Sequence, residues 1–299
     1  MGRPAVLTNP IPPTPRTDPG RQAQVKSAGR VLDIIEALAA APDGLGFGEL
    51  ARAHRFPKSS LHGLLNVLTT RGYVTLDPDR RTYSLGIRAW EAGQAYLRHR
   101  DVVREALLVM EGIVREINET VQLAILDGIE NVYLAKVDCT HPIRLQSEVG
   151  KRLFAHATGL GKVLLAHLPE DELHARLDGV ALPSFTPNTI AHLPDLLRVL
   201  ETVRERGFAV DDQEYTPGLR CVAVPIREHD DRVSTALSAS IPMMRAGADQ
   251  LEAALRAVAA GSIEISRRLG RAHADHRLVA LTDWRGDVMA TPAFSTARR

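Results

Sequence analysis

Cysteine and aromatic residues are scarce in this chain of 299 residues, which holds two cysteines and 4% aromatics. Cys139 and Cys221 lie far apart, so no disulfide framework of the kind that staples small secreted domains is expected. A reducing, cytoplasmic setting follows as the expectation. No apolar run reaches the roughly 18 residues that a membrane helix needs, so no membrane partner is expected. The N-terminus lacks the apolar core of a signal peptide, because Pro10, Pro12, Pro13 and Pro15 interrupt it. No Cys/His cluster has the spacing of metal ligands, so neither a metal nor another cofactor is expected. Excess charge is also missing, since the net charge is only +1. That balance hides an asymmetry. Residues 1–100 carry 14 Lys and Arg against 8 Asp and Glu, whereas the remainder carries 23 against 28. A basic N-terminal third joined to an acidic remainder fits a nucleic-acid module attached to something else.

The first 25 residues have no hydrophobic periodicity and read as a disordered, mildly basic arm with Arg3, Arg16 and Arg21. Ordered pattern begins at Ser27, a plausible N-cap. Val31, Leu32, Ile34, Ile35 and Leu38 then form one helical face, and Pro42-Asp43-Gly44 ends it with turn chemistry. A short second helix is expected from Gly48 to His54. Pro57 suits the first turn of a third, whose Leu61, Leu64, Leu65 and Leu68 must face inward. Arg71-Gly72 closes that helix. Tyr73–Leu76 and Thr82–Leu85 are β-prone runs around the polar turn Asp77-Pro78-Asp79-Arg80-Arg81, which predicts a hairpin.

Three helices and a hairpin in this order predict a winged helix-turn-helix over residues 26–86, and that order has one dominant use. The third helix enters a major groove and the hairpin rides the phosphates. The inward leucines leave Lys58, Ser59, Ser60, His62, Gly63, Asn66 and Thr69 outside. Ser and His hydrogen-bond base edges, and Asn suits adenine. Lys58 and the first amides of the helix suit phosphate. Arg80 and Arg81 at the hairpin tip suit phosphate or minor groove, and Lys26 and Arg30 flank helix one. Double-stranded DNA is the expected partner.

Residues 87–100 resume helical periodicity and read as a linker helix. Beyond Asp101 the pattern mixes strands and helices without regular alternation. Helices are expected at Val102–Asn118, Gly161–His167, Glu170–Leu177, Pro194–Arg206 and Asp249–Leu269. Strands are expected at Val121–Leu126, Val132–Val137, Ala209–Asp211, Arg220–Ile226 and Val233–Ser240. Residues 101–270 therefore predict a sensor-like domain, and the whole chain is a mixed α/β (α+β) protein. Residues 271–299 lose periodicity and read as a tail.

SAGRVLDIIEAL at 27–38, ELARAHRFPKSSLHGLLNVLTTRGYV at 49–74, YSLGIRAWEAG at 83–93, LFAHATGLGKVLLAHLP at 153–169 and GFAVDDQEYTPGLRCVAVPI at 207–226 resemble the isocitrate-lyase-regulator (IclR) family of bacterial transcription regulators. The resemblance runs from about residue 26 to 270. It implies a winged-helix domain, a linker helix and a C-terminal effector domain similar to the GAF fold. It also implies homodimers or dimers of dimers and a small organic or aromatic acid as effector, and it leaves repressor and activator open. Carried over, the family's effector pocket falls on Leu145, Leu153, Gly159, Leu160, Asp211, Cys221, Ser238 and Ser240. One departure is Gly63, where many members carry a larger, often basic residue. Physical reasoning supports part of the pocket. Thr158-Gly159-Leu160-Gly161 opens a helix, whose bare amides suit an anion. Gly159 leaves room for a ligand near the backbone. Ser238 and Ser240 alternate on one strand face.

An enzyme is the competing class, with Cys221 and either His141 or His156 as a thiol–imidazole pair. Their spacing matches no catalytic motif, and scattered Cys and His are usually structural, so no enzyme is expected. A sensor that signals to proteins without DNA is the other alternative, and the hairpin argues against it.

Overall fold

The computed structural model describes residues 26–53, 56–98, 101–143, 147–285 and 288–289. The chain divides between Tyr96 and Leu97 into two compact units. The expected N-terminal arm, the expected helix ends at His54 and Arg100, and the pocket candidate Leu145 lie outside the described residues.

The first unit is helical with a small sheet. Its elements are α1 (Lys26–Ala39), β1 (Leu45–Gly46), α2 (Phe47–Ala53), α3 (Lys58–Thr70), β2 (Val74–Asp77), β3 (Thr82–Leu85) and α4 (Ile87–Arg98). Ile34, Leu38, Leu50, Phe56, Leu61, Leu65, Leu68 and Val74 form one buried core, with Leu64 packed at its margin. Ser27 lies inside α1 rather than at its cap. Pro57 is the N-cap of α3, one position before the expected one. At the other end the Tyr73 amide donates to the Leu68 carbonyl at 2.9 Å and the Gly72 amide to Thr69 at 3.0 Å. Gly72 takes φ +74° there, the left-handed cap that glycine adopts without strain. This cap turns the chain straight into the β2–β3 hairpin. β1 adds a third strand against β3, and two residues are too short to leave a periodic signal.

The second unit is one sheet between two helical layers. Its elements are α5 (Asp101–Ile117), β4 (Thr120–Asp127), β5 (Glu130–Val137), β6 (Arg152–Phe154), α6 (Gly159–Ala166), α7 (Glu170–Leu177), α8 (Leu193–Arg206), β7 (Ala209–Asp212), β8 (Leu219–Arg227), β9 (Val233–Pro242), α9 (Ala248–Arg268) and α10 (His276–Thr282). The six strands are antiparallel in the order β6-β5-β4-β9-β8-β7. Alternation along the strands gives the sheet two faces. Val121, Leu123, Val210, Val222, Leu237 and Ala239 pack with α5, α9 and α10. Ala124, Ala209, Ala223 and Ala236 pack with α6 and α8. The alanines on this second face let α6 lie close to the sheet, and its first turn ends up beside strands β7 and β8.

The unit does not end near residue 270. Leu278 and Leu281 of α10, and Val288 after it, are buried in the same core as α5 and α9. Asp275 caps α10 by accepting from the Arg277 amide at 3.0 Å, and it also accepts from Arg227 Nε at 2.8 Å. Arg277 reaches the Arg204 carbonyl at 2.7 Å. What reads as a tail is therefore pinned to β8 and α8. A seven-residue helix is too short to show its period.

Candidate functional site

The first unit presents one polar face. Lys58, Ser59, His62 and Asn66 of α3 are exposed, as are Lys26 and the wing-tip residues Arg80 and Arg81. The wing tip is built by Asp77, whose Oδ1 accepts from the amides of Asp79 at 2.9 Å and Arg80 at 3.0 Å. The bond from the Arg80 amide holds the Asp77 carboxyl below its usual range. Arg81 then takes φ +54°, which reverses the chain into β3. Ser60 departs from the expected outward set. It is half-buried, and its Oγ accepts from Arg30 Nη1 at 3.0 Å. Arg30 also stacks over the Phe56 ring at 5.8 Å, so it ties α1 to the start of α3. Gly63 faces outward, because a Cβ there would meet nothing within 4 Å. Between α3 and the wing runs a groove of about 1010 Å³, open solvent included, lined by His62, Asn66 and Thr69 on one side and Thr75, Leu76 and Tyr83 on the other.

The second unit holds a cavity of about 490 Å³, open solvent included, between the start of α6 and the β7 end of the sheet. Leu153, Gly159, Leu160, Asp211, Cys221, Ser238 and Ser240 all line it. Tyr133, Ser147, Lys151, Tyr215, Thr216 and Leu219 also line it and are missed by the sequence reading. They come from β5, from the segment before β6, from the loop after β7 and from the start of β8; Tyr215, Thr216 and Leu219 fall inside the 207–226 stretch, but no local spacing marks them as lining residues.

Strand register assembles the cavity floor. Asp211 is paired with Cys221, and Cys221 with Ser240, so three polar side chains form one row across β7, β8 and β9. Cys221 Sγ lies 3.2 Å from Ser240 Oγ. Beside the row, on the same face of the next strand β4, sits Gln122, fully buried and paired with Ser238. Its Oε1 accepts from Ser238 at 3.2 Å and Ser240 at 3.1 Å, while its Nε2 has no hydrogen-bond partner. Gln122 was legible as the lone polar residue in the strand Val121–Leu126.

The cavity wall opposite is the start of α6. Thr158 caps the helix, accepting from the Gly161 amide at 3.0 Å and donating to Asn131 Oδ1 at 2.7 Å. The amides of Gly159 and Leu160 have no partner within a helix that begins there. Gly159 serves a different purpose from the one expected. A Cβ on it would meet Ala223 Cβ at 3.3 Å and the Asp211 amide at 3.7 Å, so its bare side faces the sheet. Glycine at 159 lets α6 close on β7 and β8.

A buried charge cluster backs the row. Lys162, with no exposed surface, donates to the Val210 carbonyl at 2.6 Å and pairs with Glu214. Asp211 Oδ1 accepts from the Glu214 amide at 2.8 Å. Burial, and then the like charge of Glu214, push the Asp211 carboxyl up to about 8, with Lys162 opposing them. Burial acts on Glu214 in the same direction, and the Lys162 ammonium, which contacts Glu214 directly, opposes it. Burial likewise raises the Cys221 thiol and the Tyr133 phenol, and pushes the Tyr215 phenol up to about 12.

No thiol–imidazole pair forms among these residues. The contact of Cys221 is Ser240. His156 Nε2 lies 3.0 Å from the Pro183 carbonyl, and His141 Nε2 lies 3.3 Å from Asn118 Nδ2. Among the described residues, Glu228, His229 and Asp230 at the β8–β9 turn could converge on a metal ion, but Glu228 is engaged by Arg232 and Ser234. No helix among the described residues is long and apolar enough to cross a membrane.

Comparison with known proteins covers both units. The family described as IclR helix-turn-helix domain matches residues 27–78, and that described as bacterial transcriptional regulator IclR C-terminal matches residues 94–267. The HTH-type transcriptional regulator XynR of Escherichia coli (strain K12) is 35% identical over 246 residues, which is 82% of this chain and 98% of the relative. The crystal structure of the Thermotoga maritima IclR superposes with a TM-score of 0.70 at 31% identity, covering 83% of this chain and 100% of that one. An IclR homolog from Microbacterium hydrocarbonoxydans, solved in complex with 4-hydroxybenzoate, gives a TM-score of 0.70 at 26% identity, covering 82% of this chain and 99% of that one.

Proposed function

The chain belongs to the IclR family of bacterial transcriptional regulators, and we propose that a small organic or aromatic acid held in the second unit controls how the first unit engages operator DNA. The observation that carries this reading is the cavity itself. It sets neutral polar groups, the Ser238 and Ser240 hydroxyls and the Gly159 and Leu160 amides at the start of α6, beside the apolar Leu153, Leu160 and Leu219. Neutral donors around an apolar slot suit a carboxylate on a small carbon frame. The 4-hydroxybenzoate bound by the Microbacterium relative is a ligand of that class.

In this reading Asn66, His62 and Ser59 contact base edges. Lys58, Lys26, Arg80 and Arg81 contact phosphate, and Arg30 braces α3 through Ser60. The protein acts as a homodimer or a pair of dimers in the cytoplasm, and it binds its effector without turning it over. A buried thiol with a raised proton affinity is a poor nucleophile, which supports binding over catalysis at Cys221.

A thermal-shift screen of the full chain against benzoate, 4-hydroxybenzoate and pyruvate tests the effector class. A ligand at 100 times its dissociation constant stabilises by about 2.7 kcal/mol, and at least one acid is expected to raise the melting temperature of the second unit. Absence of any shift from organic acids, with a shift from amines or sugars, overturns the class.

A further inference from the structure

Asp211 sits in the cavity row with an unusual set of neighbours. It is 4% exposed and lines the cavity. Its Oδ1 is taken by the Glu214 amide, and no hydrogen bond to its Oδ2 is formed by any described residue. Lys162, the cation in the cluster behind it, contacts Glu214 and the Val210 carbonyl. Asp212, next in the chain, is bonded to Arg220 at 2.7 Å. The remaining titratable groups around the cavity are Cys221 on β8, Tyr133 on β5, Tyr215 after β7 and Lys151 before β6. A carboxyl buried among such groups, without a cation of its own, favours its neutral form.

We propose that Asp211 is a specificity-determining residue that meets the effector as a neutral carboxylic acid, donating from its cavity-facing oxygen to an acceptor oxygen of an organic acid. The inference rests on the acid-binding reading given above. It deepens that reading by assigning the proton. A neutral Asp211 adds an O–H donor to the two helix amides at the inner end of the cavity, beside Ser238 and Ser240, whose hydroxyls donate to Gln122. A carboxylate accepts from such a set. An ammonium finds only neutral oxygens there, those of Ser238, Ser240 and the Asp211 acid, and no ionised carboxylate to pair with. An ionised Asp211 reverses the preference, because it repels a carboxylate and pairs with an amine. The upward push on the Asp211 carboxyl to about 8 is in line with this geometry.

The binding-competent form is therefore the protonated one, and the apparent dissociation constant is the intrinsic one divided by its fraction. Calorimetry with benzoate on the full chain is expected to give a constant Kd from pH 6 to about pH 7.5. Above pH 8 it weakens about tenfold per pH unit. At pH 9, paired buffers of different ionisation enthalpy are expected to report uptake of nearly one proton, and at pH 6 almost none. Asp211→Asn removes the slope whatever its affinity, while Lys151→Gln retains it. Benzylamine gives no shift at pH 6. A flat wild-type profile, proton release at pH 9, or a slope that survives in Asp211→Asn and disappears in Lys151→Gln overturns the proposal.

A ligand-free arm separates this proposal from the effector reading. A carboxyl raised in the folded state binds a proton that the unfolded chain has already lost. Wild type therefore loses stability relative to Asp211→Asn as the pH rises from about 4 to about 8, and the gap is constant above that. If no organic acid binds but this gap appears, the effector reading fails and the neutral Asp211 stands. If acids bind but the gap is flat or narrows with pH, the neutral Asp211 fails and the effector reading stands.

Discussion

At Gly161 an added Cβ overlaps the backbone of Ala155, which no side-chain adjustment relieves. Gly161→Ala is therefore expected to destabilise the second unit by about 1–3 kcal/mol or more, read by urea unfolding, even though alanine is the better helix former. Gly159→Val acts more locally. It presses on Ala223 and on the backbone of Asp211, lifting α6 from the sheet and closing the cavity. The expected variant still binds operator DNA through the first unit and gives no thermal shift with the acid that stabilises wild type. A normal shift would place the ligand elsewhere. Glycine spacing in Thr158-Gly159-Leu160-Gly161 was readable in the chain, but its reason was not. Both glycines answer to neighbours distant in sequence or packed from another element, and a sequence shows no Cβ vectors. Lys151, Tyr133 and Tyr215 were silent for the same reason, since only strand order and loop path bring them to one cavity.

At the scale of elements, the proposed reading divides the work of holding DNA between the wing and α3. Asp77 fixes the turn that carries Arg80 and Arg81 outward. Replacing both arginines by alanine is expected to weaken binding to all duplexes alike and to flatten the salt slope by about 2 or less, as loss of phosphate contacts does. An unchanged slope in an equilibrium titration across salt concentrations contradicts that role. Within α3 the exposed Asn66 and the inward Ser60 separate two functions. Asn66→Ala is expected to lose about 1–3 kcal/mol of discrimination between operator and random DNA. Ser60→Ala instead frees Arg30, and it is expected to weaken both kinds of DNA together. Competition binding with the two duplexes distinguishes these outcomes. Long amphipathic elements such as α5, α8 and α9 were legible within a residue or two, because several turns average out local noise. β1, β6 and α10 were hidden by their length, and α10 owes its place to Asp275 and Arg227 rather than to its own period.

At the scale of the molecule, the charge asymmetry of the sequence follows the division into two units. The basic end carries α3 and the wing, and the acidic remainder carries the cavity. One recognition helix per chain calls for two-fold pairing on DNA, so a footprint is expected to cover a pseudo-palindrome with half-sites about one helical turn apart or a multiple of it. Protection of a single asymmetric half-site would contradict that pairing. The account as a whole stands on coupling between the two units. The measurement that tests it is a binding isotherm of the full chain on a duplex selected from a random pool, taken with and without a saturating acid from the thermal-shift screen. Allosteric coupling free energies of about 1–3 kcal/mol predict a midpoint shift of about 5- to 150-fold. An acid that stabilises the protein yet leaves the DNA isotherm unmoved would contradict it.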